Sequence, residues 1–229
     1  MRAPAAASLL RGSVAVVRPI PLMLLLGLAT GGCQPAAKQP VRTAATVVAV
    51  DAPETWRETA STASEAAIDG LDARWMAALA EAKRRGATRT LSSEGALLDP
   101  KAALPRAAPG PGPYKCRLLR IGVAGGRTRG VAAPRSGFCY IGVEDDQLSF
   151  SSEISGYGLG GYLYETASSG QFIFLGASAP ARGPAPGYGE DAAKDVAGRF
   201  ERVDEFRYRL VMPGAAATEL QLFELIPAP

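Results

Sequence analysis

The side chains that could carry out chemistry in this chain are carboxylates, tyrosines and cysteines, because the sequence contains no histidine. Without an imidazole, the chain lacks the base of Ser-His-Asp and Cys-His nucleophile systems and the nitrogen ligand of most zinc sites. Carboxylates cluster at Glu144, Asp145 and Asp146, and again at Glu190 and Asp191. Each cluster could supply the acid and base of a hydrolase, or ligands for calcium. A hairpin turn is the simpler interpretation of the first cluster.

The second cluster lies in residues 177–193, a long connection of the kind that often carries function. Tyrosines near it could line a ligand site, although tyrosines in strands more often belong to a core or a rim. Residues 156–161 contain the pattern G-x-G-x-x-G, which binds nucleotides when it lies between a strand and a helix. Strands are expected on both sides here, so nucleotide binding is not expected. We also expect no other cofactor and no metal. The candidate ligand or partner surface comprises Tyr157, Tyr162, Tyr164, Tyr188, Glu190 and Asp191.

Cysteine is the third type of reactive side chain. The first cysteine, Cys33, follows a stretch typical of an export signal. Residues 1–32 contain three arginines and no acidic residue, and they include an apolar run over 20–29. This run is shorter than the roughly 20 residues of a transmembrane helix, so we predict a signal peptide. Residues 30–33, Thr-Gly-Gly-Cys, resemble a bacterial lipobox, which predicts lipid attachment at Cys33. Cleavage by an ordinary signal peptidase is the alternative.

The segment after the signal peptide, residues 33–53, is rich in Ala, Pro, Lys and Thr without periodicity, which predicts a flexible lipoprotein spacer. The absence of aspartate at position 34 favours an outer-membrane anchor on the periplasmic side of the envelope. Loss of the three signal-peptide arginines would leave 22 basic and 22 acidic residues. A neutral mature chain is not expected to bind nucleic acid. The expected partners are the membrane, through the lipid, and an envelope protein or a small apolar ligand.

Cys116 and Cys139 are the remaining pair. They lie near the starts of two consecutive predicted strands, so a hairpin would bring them side by side. In an exported protein, such a pair most simply forms a disulfide. A catalytic or metal-binding thiol pair is the alternative, but it would have no histidine as base or second ligand.

One helix is expected before the strands. Apolar residues recur every three or four positions from Trp56 to Ala82, which is the pattern of one helix face. We therefore predict a long helix packed on the outside of the strands, with Trp75 and Leu79 on the packed side. Gly70 could divide it, because glycine costs about 1 kcal/mol relative to alanine. Five prolines follow between positions 100 and 113, so we interpret residues 54–113 as a helix and a proline-rich connection.

Short alternating apolar runs, separated by turn residues, fill residues 114–229 and predict a mainly β domain. Consecutive antiparallel strands with short turns close naturally into an up-and-down barrel, which leaves no exposed sheet edge. We expect a small, calycin-like antiparallel β-barrel of about eight strands. The expected strands cover residues 114–122, 137–144, 147–153, 158–165, 171–176, 195–203, 206–212 and 219–226.

Several short segments of this region agree in order with a known family. They include Glu94-Gly95-Ala96-Leu97-Leu98-Asp99-Pro100, Tyr114-Lys115-Cys116-Arg117, Phe138-Cys139, Leu148-Ser149-Phe150, Phe174-Leu175-Gly176, Tyr188-Gly189, Asp195-Val196-Ala197-Gly198, Glu201-Arg202, Arg207-Tyr208-Arg209-Leu210-Val211 and Glu224-Leu225-Ile226-Pro227. Over residues 56–227 the chain resembles the bacterial envelope family catalogued as domain of unknown function 4893. The resemblance supports the domain limits and the disulfide, and it implies no reaction because that family has no established activity.

These observations favour a non-enzymatic binding or interaction domain on an exported lipoprotein. A periplasmic protease inhibitor is the first alternative, since small disulfide-bonded β-barrel lipoproteins of that class exist. A hydrolase that uses only carboxylates is the second.

Overall fold

Eight antiparallel strands form the centre of the fold. The computed structural model describes residues 55–124, 129–154, 156–179 and 183–229. Each strand pairs with the next along the chain, and the first also pairs with the last, so that the sheet closes into a barrel. The strands are β1 Gly112–Ile121, β2 Arg135–Glu144, β3 Gln147–Ser152, β4 Leu159–Glu165, β5 Gln171–Ser178, β6 Asp195–Asp204, β7 Arg207–Pro213 and β8 Leu220–Pro227.

The predicted up-and-down barrel is confirmed, and each strand end lies within two residues of its predicted position. Alternation made this possible, because a strand with one buried face shows a period of two in its sequence. The predicted signal peptide, the lipid attachment at Cys33 and the spacer fall outside the described residues, and they stay predictions.

Large side chains fill the inside of the barrel. In β7, Tyr208, Leu210 and Met212 point inward and join the main apolar cluster, in which the Phe150 ring meets the rings of Phe174 and Phe223 edge-on. Their ring centroids lie 5.6 and 5.9 Å from that of Phe150. An eight-stranded barrel is just wide enough for side chains to fill it. These residues therefore form a packed core.

The single long helix expected over residues 56–82 is not confirmed, because the region folds as short helices. Ala60 is extended (φ −68°, ψ 138°), and the Ser61 hydroxyl accepts a hydrogen bond from the Ser64 amide as the cap of the next helix. Gly70 separates the second helix from the third, as its low helix propensity suggested. The helices are α1 Trp56–Thr59, α2 Thr62–Asp69, α3 Leu71–Arg84 and α4 Thr88–Glu94, followed by a 3-10 turn, Gly95–Leu97.

The helices cover one side of the barrel. Trp75 of α3 is fully buried, in a cluster with outward side chains of β1, β7 and β8, among them Leu119, Val211 and Leu222. Trp56 of α1 packs on the outward side chains of β5 and β6. Outward side chains of β2 and β4 remain exposed, including Phe138, Tyr140 and Tyr162. The buried apolar residues thus form a barrel interior and two outer layers.

The connection after α3 is more structured than a linker. It contains α4 and the 3-10 turn, which begin before the first of the five prolines. Leu97 and Leu98 are buried beneath α3, as expected from their apolar character. Leu104 is 37% exposed instead, and its amide donates a hydrogen bond to the Arg202 carbonyl. The segment around Leu104 and Pro105 therefore lies beside Arg202 of β6.

The Cys116–Cys139 disulfide is confirmed. The two Cα atoms lie 5.8 Å apart, and both residues are buried in the barrel interior. Cys116 is paired with Gly137, and Cys139 with Tyr114, so the bond joins diagonal neighbours of β1 and β2. Diagonal cross-strand neighbours are within reach of each other when their side chains share a face.

Tyr114, near this bond, gives a test of the packed interior. Its hydroxyl donates to the Gly110 carbonyl at 2.6 Å, and burial together with the nearby Tyr208 raises the pKa of Tyr114 to about 12. An unfolded tyrosine has a pKa of about 10. The contribution of the neutral Tyr114 phenol to the free energy of unfolding is therefore complete below pH 10, and it is lost as the pH rises from about 10 towards about 12.

We expect an ultraviolet titration of tyrosinate to show a phenol that ionises near pH 12, and Tyr114→Phe to remove that late step. Urea-unfolded protein, in which every phenol is solvated, is the control. A folded wild type whose tyrosines all ionise together near pH 10 would contradict this assignment.

Candidate functional site

A groove of about 760 Å³ lies on the outer side of β3 and β4. One wall is the strand face, with Ser149, Ser151 and Gly160 as its small side chains, and the other is the segment 183–188, Gly-Pro-Ala-Pro-Gly-Tyr. A Cβ atom at Gly160 would lie only 3.2 Å from the Ala185 Cβ. Glycine at position 160 therefore allows the loop to approach β4, because no side chain projects from the strand at this point.

Tyr162 and Glu144 form the polar end of the groove. The Tyr162 hydroxyl donates a hydrogen bond of 2.8 Å to the Glu144 carboxylate, and this bond raises the pKa of Tyr162. The phenol is 37% exposed. The hydrogen bond holds the ring in one orientation, so that part of its face is presented to solvent.

Two further aromatic residues lie on the same outer surface, which we call the β2–β4 face and define by the outward side chains of β2, β3 and β4. Phe138 is 49% exposed and Tyr140 is 40% exposed. Their strand neighbours Cys139 and Ile141 point into the barrel. Sequence reasoning missed Phe138 and Tyr140, although the alternation along β2 carried the signal for their outward direction.

The predicted loop residues mainly shape the loop. The Tyr188 hydroxyl accepts a hydrogen bond from the Ser61 amide and lies 2.7 Å from the Ser64 hydroxyl, which ties the loop to α2 while the residue also lines the groove. Glu190 accepts a hydrogen bond from the Gly187 amide. Asp191 pairs with a lysine three residues later, and that hydrogen bond lowers the pKa of Asp191. These residues fix the wall of the groove.

Tyr157 and Tyr164 do not line the groove. The Tyr157 hydroxyl accepts a hydrogen bond from Arg120, and the Arg135 guanidinium lies 4.9 Å from the centre of its ring. Tyr164 lines a second, smaller depression and packs against the cluster around Trp56. Of the six residues expected to form one surface, the structure places Tyr162 and Tyr188 in the lining of the groove.

A chain of alternating charges lies on the helix-covered side of the barrel. Arg117 of β1 forms two hydrogen bonds with Glu94 of α4, of 2.9 and 2.7 Å, and one of 2.6 Å with Glu224 of β8. Glu224 also accepts a hydrogen bond of 2.6 Å from Arg207 of β7. The hydrogen bonds to Glu94 and Glu224 raise the pKa of Arg117. This series of ion pairs joins β1, β7 and β8 to the end of α4.

A fully buried arginine, Arg209, holds the 3-10 turn. Its side chain is fully buried, its Nε donates to Glu201, and its guanidinium lies 4.5 Å from the centre of the Trp75 ring. One terminal nitrogen donates to the carbonyls of Ala96, Leu97 and Asp99. Burial lowers the pKa of this arginine, and Glu201 opposes the shift. The charged residues of these sequence motifs thus stabilise the fold.

Both charge networks and the disulfide lie within one region that a family model recognises. The model described as "Domain of unknown function (DUF4893)" matches residues 56–225. The chain belongs to the DUF4893 family. The match begins at Trp56, the buried first residue of α1, and ends at Leu225, an inward residue of β8. The DUF4893 domain therefore comprises the helices as well as the barrel.

Comparison of this DUF4893 chain with curated proteins and with solved structures gave no match. Within the described ranges, no helix of the DUF4893 domain combines the length and the apolar character that crossing a membrane requires. The same residues contain no group of three or more carboxylate or thiol side chains placed to hold a metal ion.

Proposed function

We propose that this DUF4893 chain is an exported lipoprotein, acylated at Cys33 and anchored to the periplasmic side of the outer membrane, whose barrel is a non-enzymatic binding domain for another envelope protein. The observation that carries the proposal is the β2–β4 face, where Phe138, Tyr140 and Tyr162 are exposed beside an open groove. Aromatic residues of this kind are enriched in the centres of protein interfaces.

The packing of the barrel favours a surface site over an internal one. Phe150, Phe174, Phe200, Phe223 and Tyr208 occupy the space in which a carrier barrel would hold a small apolar ligand. A ligand there would have to displace side chains that already pack at the density of a protein core. We therefore favour a protein partner over the small apolar ligand.

The hydrogen bonding of three carboxylates on the helix-covered side supports a non-enzymatic role. Glu94, Glu201 and Glu224 each accept hydrogen bonds from arginine side chains that also connect parts of the fold. A carboxylate that serves as a general acid or base must be free to exchange a proton with a substrate. Glu144 is the carboxylate at the polar end of the groove, and it accepts a hydrogen bond from Tyr162.

The partner can be sought by placing a photo-crosslinking amino acid at position 138 in cells. We expect a discrete adduct with an envelope protein, because Phe138 is 49% exposed on the β2–β4 face. The same amino acid at Met76, which is 60% exposed on α3, is the matched control and should give no such adduct. An adduct with a protease would favour the inhibitor alternative. Equal results at the two positions would contradict binding through this face.

The anchor is tested separately by Cys33→Ala. We expect this change to abolish fatty-acid labelling and to release the protein from membranes, with the barrel still folded, because Cys33 precedes the domain by a spacer. Metabolic labelling with a fatty-acid analogue, followed by membrane fractionation, measures both effects. Cys33→Ala protein that still carries the label would exclude Cys33 as the acylated residue.

A further inference from the structure

The two depressions at the β2–β4 face and at the hairpin turn beside it are lined by charged side chains of one sign. Besides the groove, a second depression of about 350 Å³ lies beside the turn between β2 and β3. Every charged side chain among the described residues that line the two depressions is a carboxylate. These residues are Glu144, Asp145, Asp146, Glu153 and Glu165.

These carboxylates differ from those on the helix-covered side. In the described ranges, no ion pair involves any of the five, whereas Glu94, Glu201 and Glu224 each pair with an arginine. A surface lined by one sign of charge attracts partners of the other sign. The cations at its border are Lys115, opposite Phe138 on β1, and Arg135, over the Tyr157 ring.

Exposed aromatic rings lie among these carboxylates. Phe138, Tyr140 and Tyr162 present part of their surface to solvent on the β2–β4 face. The face of an aromatic ring attracts ammonium and guanidinium groups, and arginine can in addition stack on it. Carboxylates and aromatic rings on one surface therefore favour the same class of side chain.

We propose that the β2–β4 face binds a basic segment of the partner protein, with lysine or arginine side chains against the aromatic rings and the carboxylates around the β2–β3 turn. This inference rests on the proposed function and specifies the chemistry of its partner. The groove walled by residues 183–188 would receive the backbone of that segment, because the small side chains of Ser149 and Ser151 leave room along the strand face. Charge complementarity of this kind raises the association rate and makes binding depend on salt.

The probe is a fluorescent peptide of alternating arginine and serine, and its counterpart has glutamate in place of arginine. Binding to the full-length protein is followed by fluorescence anisotropy at low and high salt. The test variant is Glu144→Gln, Asp145→Asn and Asp146→Asn together. Asp145 and Asp146 have positive φ values of 48° and 66°, which asparagine tolerates. Glutamine at 144 can still accept the hydrogen bond from Tyr162.

The matched control removes the same number of charges elsewhere, through Glu58→Gln, Asp204→Asn and Glu205→Gln, all at exposed positions. We expect the arginine peptide to bind the wild type and the control alike, the glutamate peptide to bind neither, and the test variant to bind the arginine peptide about tenfold more weakly, as expected for a few surface charges. High salt should remove most of the difference between wild type and test variant.

Equal binding of the two peptides, or an equal loss in the test and control variants, would overturn the basic-segment proposal. Such a result is distinguishable from failure of the proposed function, because crosslinking at position 138 is measured independently. If the adduct at position 138 forms equally well in the test variant, the proposed binding function stands, but recognition of the partner by these carboxylates is overturned. Absence of the adduct in the wild type would overturn the proposed function itself.

Discussion

Replacement of Arg209 by methionine is expected to lower the free energy of unfolding by about 3–5 kcal/mol, the usual cost of removing one partner from a buried charge pair. Arg209 and Glu201 are fully or almost fully buried, and their side chains lie 2.7 Å apart. After the substitution, Glu201 keeps one of its two arginine partners, Arg199. The substitution also leaves the carbonyls of the 3-10 turn without their donor.

The size of this effect can be separated from a general loss of packing. Arg89→Met, at an exposed position of α4, should change the free energy of unfolding by less than about 0.5 kcal/mol. The double variant Arg209→Met, Glu201→Leu should recover part of the loss, because it also removes the buried carboxylate that has lost one of its two arginine partners. Urea denaturation monitored by circular dichroism gives all three values. A loss below about 1 kcal/mol for Arg209→Met would show that the 3-10 turn is held by its apolar residues.

Breaking the Cys116–Cys139 bond is expected to lower stability by about 3 kcal/mol, since the cysteines are 23 residues apart and the bond restricts the unfolded chain. For a domain of this size, the melting temperature should fall by roughly 6–12 °C. Both cysteines point into the barrel core, so alanine is a better replacement than serine, whose hydroxyl would be buried.

Two measurements distinguish the loss of the bond from the loss of sulfur packing. Reduced wild-type protein keeps both sulfur atoms, and its melting temperature should lie close to that of Cys116→Ala, Cys139→Ala. Thiol titration of unreduced Cys33→Ala protein after unfolding should find no free thiol. Two free thiols, or identical melting temperatures of oxidised and reduced protein, would show that the disulfide does not stabilise the domain. Crosslinking at position 138 should be unchanged by reduction, because the bond constrains mainly the unfolded state.

The strands were predictable because their signal is local. In β7, the alternation of Tyr208, Leu210 and Met212 with outward residues shows a strand without any knowledge of its neighbours. The disulfide followed from the same pattern, together with the expected first hairpin. The helix break at Gly70 followed from the low helix propensity of glycine, but the break at Ala60 depends on capping and backbone conformation, which apolar periodicity does not report.

The candidate site was less predictable because its exposure is a non-local property. Phe138 and Tyr140 alternate with buried residues in the same way as covered strand residues elsewhere. Whether they face solvent depends on which side of the barrel the helices cover. The Arg117–Glu224 pair likewise depends on the register between the first and last strands, which are far apart in sequence.

That pairing of β1 with β8 also sets the order in which the barrel can be completed. A chain made from its N-terminus presents β1 about a hundred residues before Leu220–Pro227 can pair with it. Until then β1 has one unsatisfied edge, which is a template for pairing with other chains. Closure is a contact of large sequence separation, and proteins rich in such contacts fold in milliseconds to seconds rather than microseconds. The hairpin of β1 and β2, which is local and carries the disulfide, can form well before closure, so the last strand limits how soon this domain is protected from aggregation.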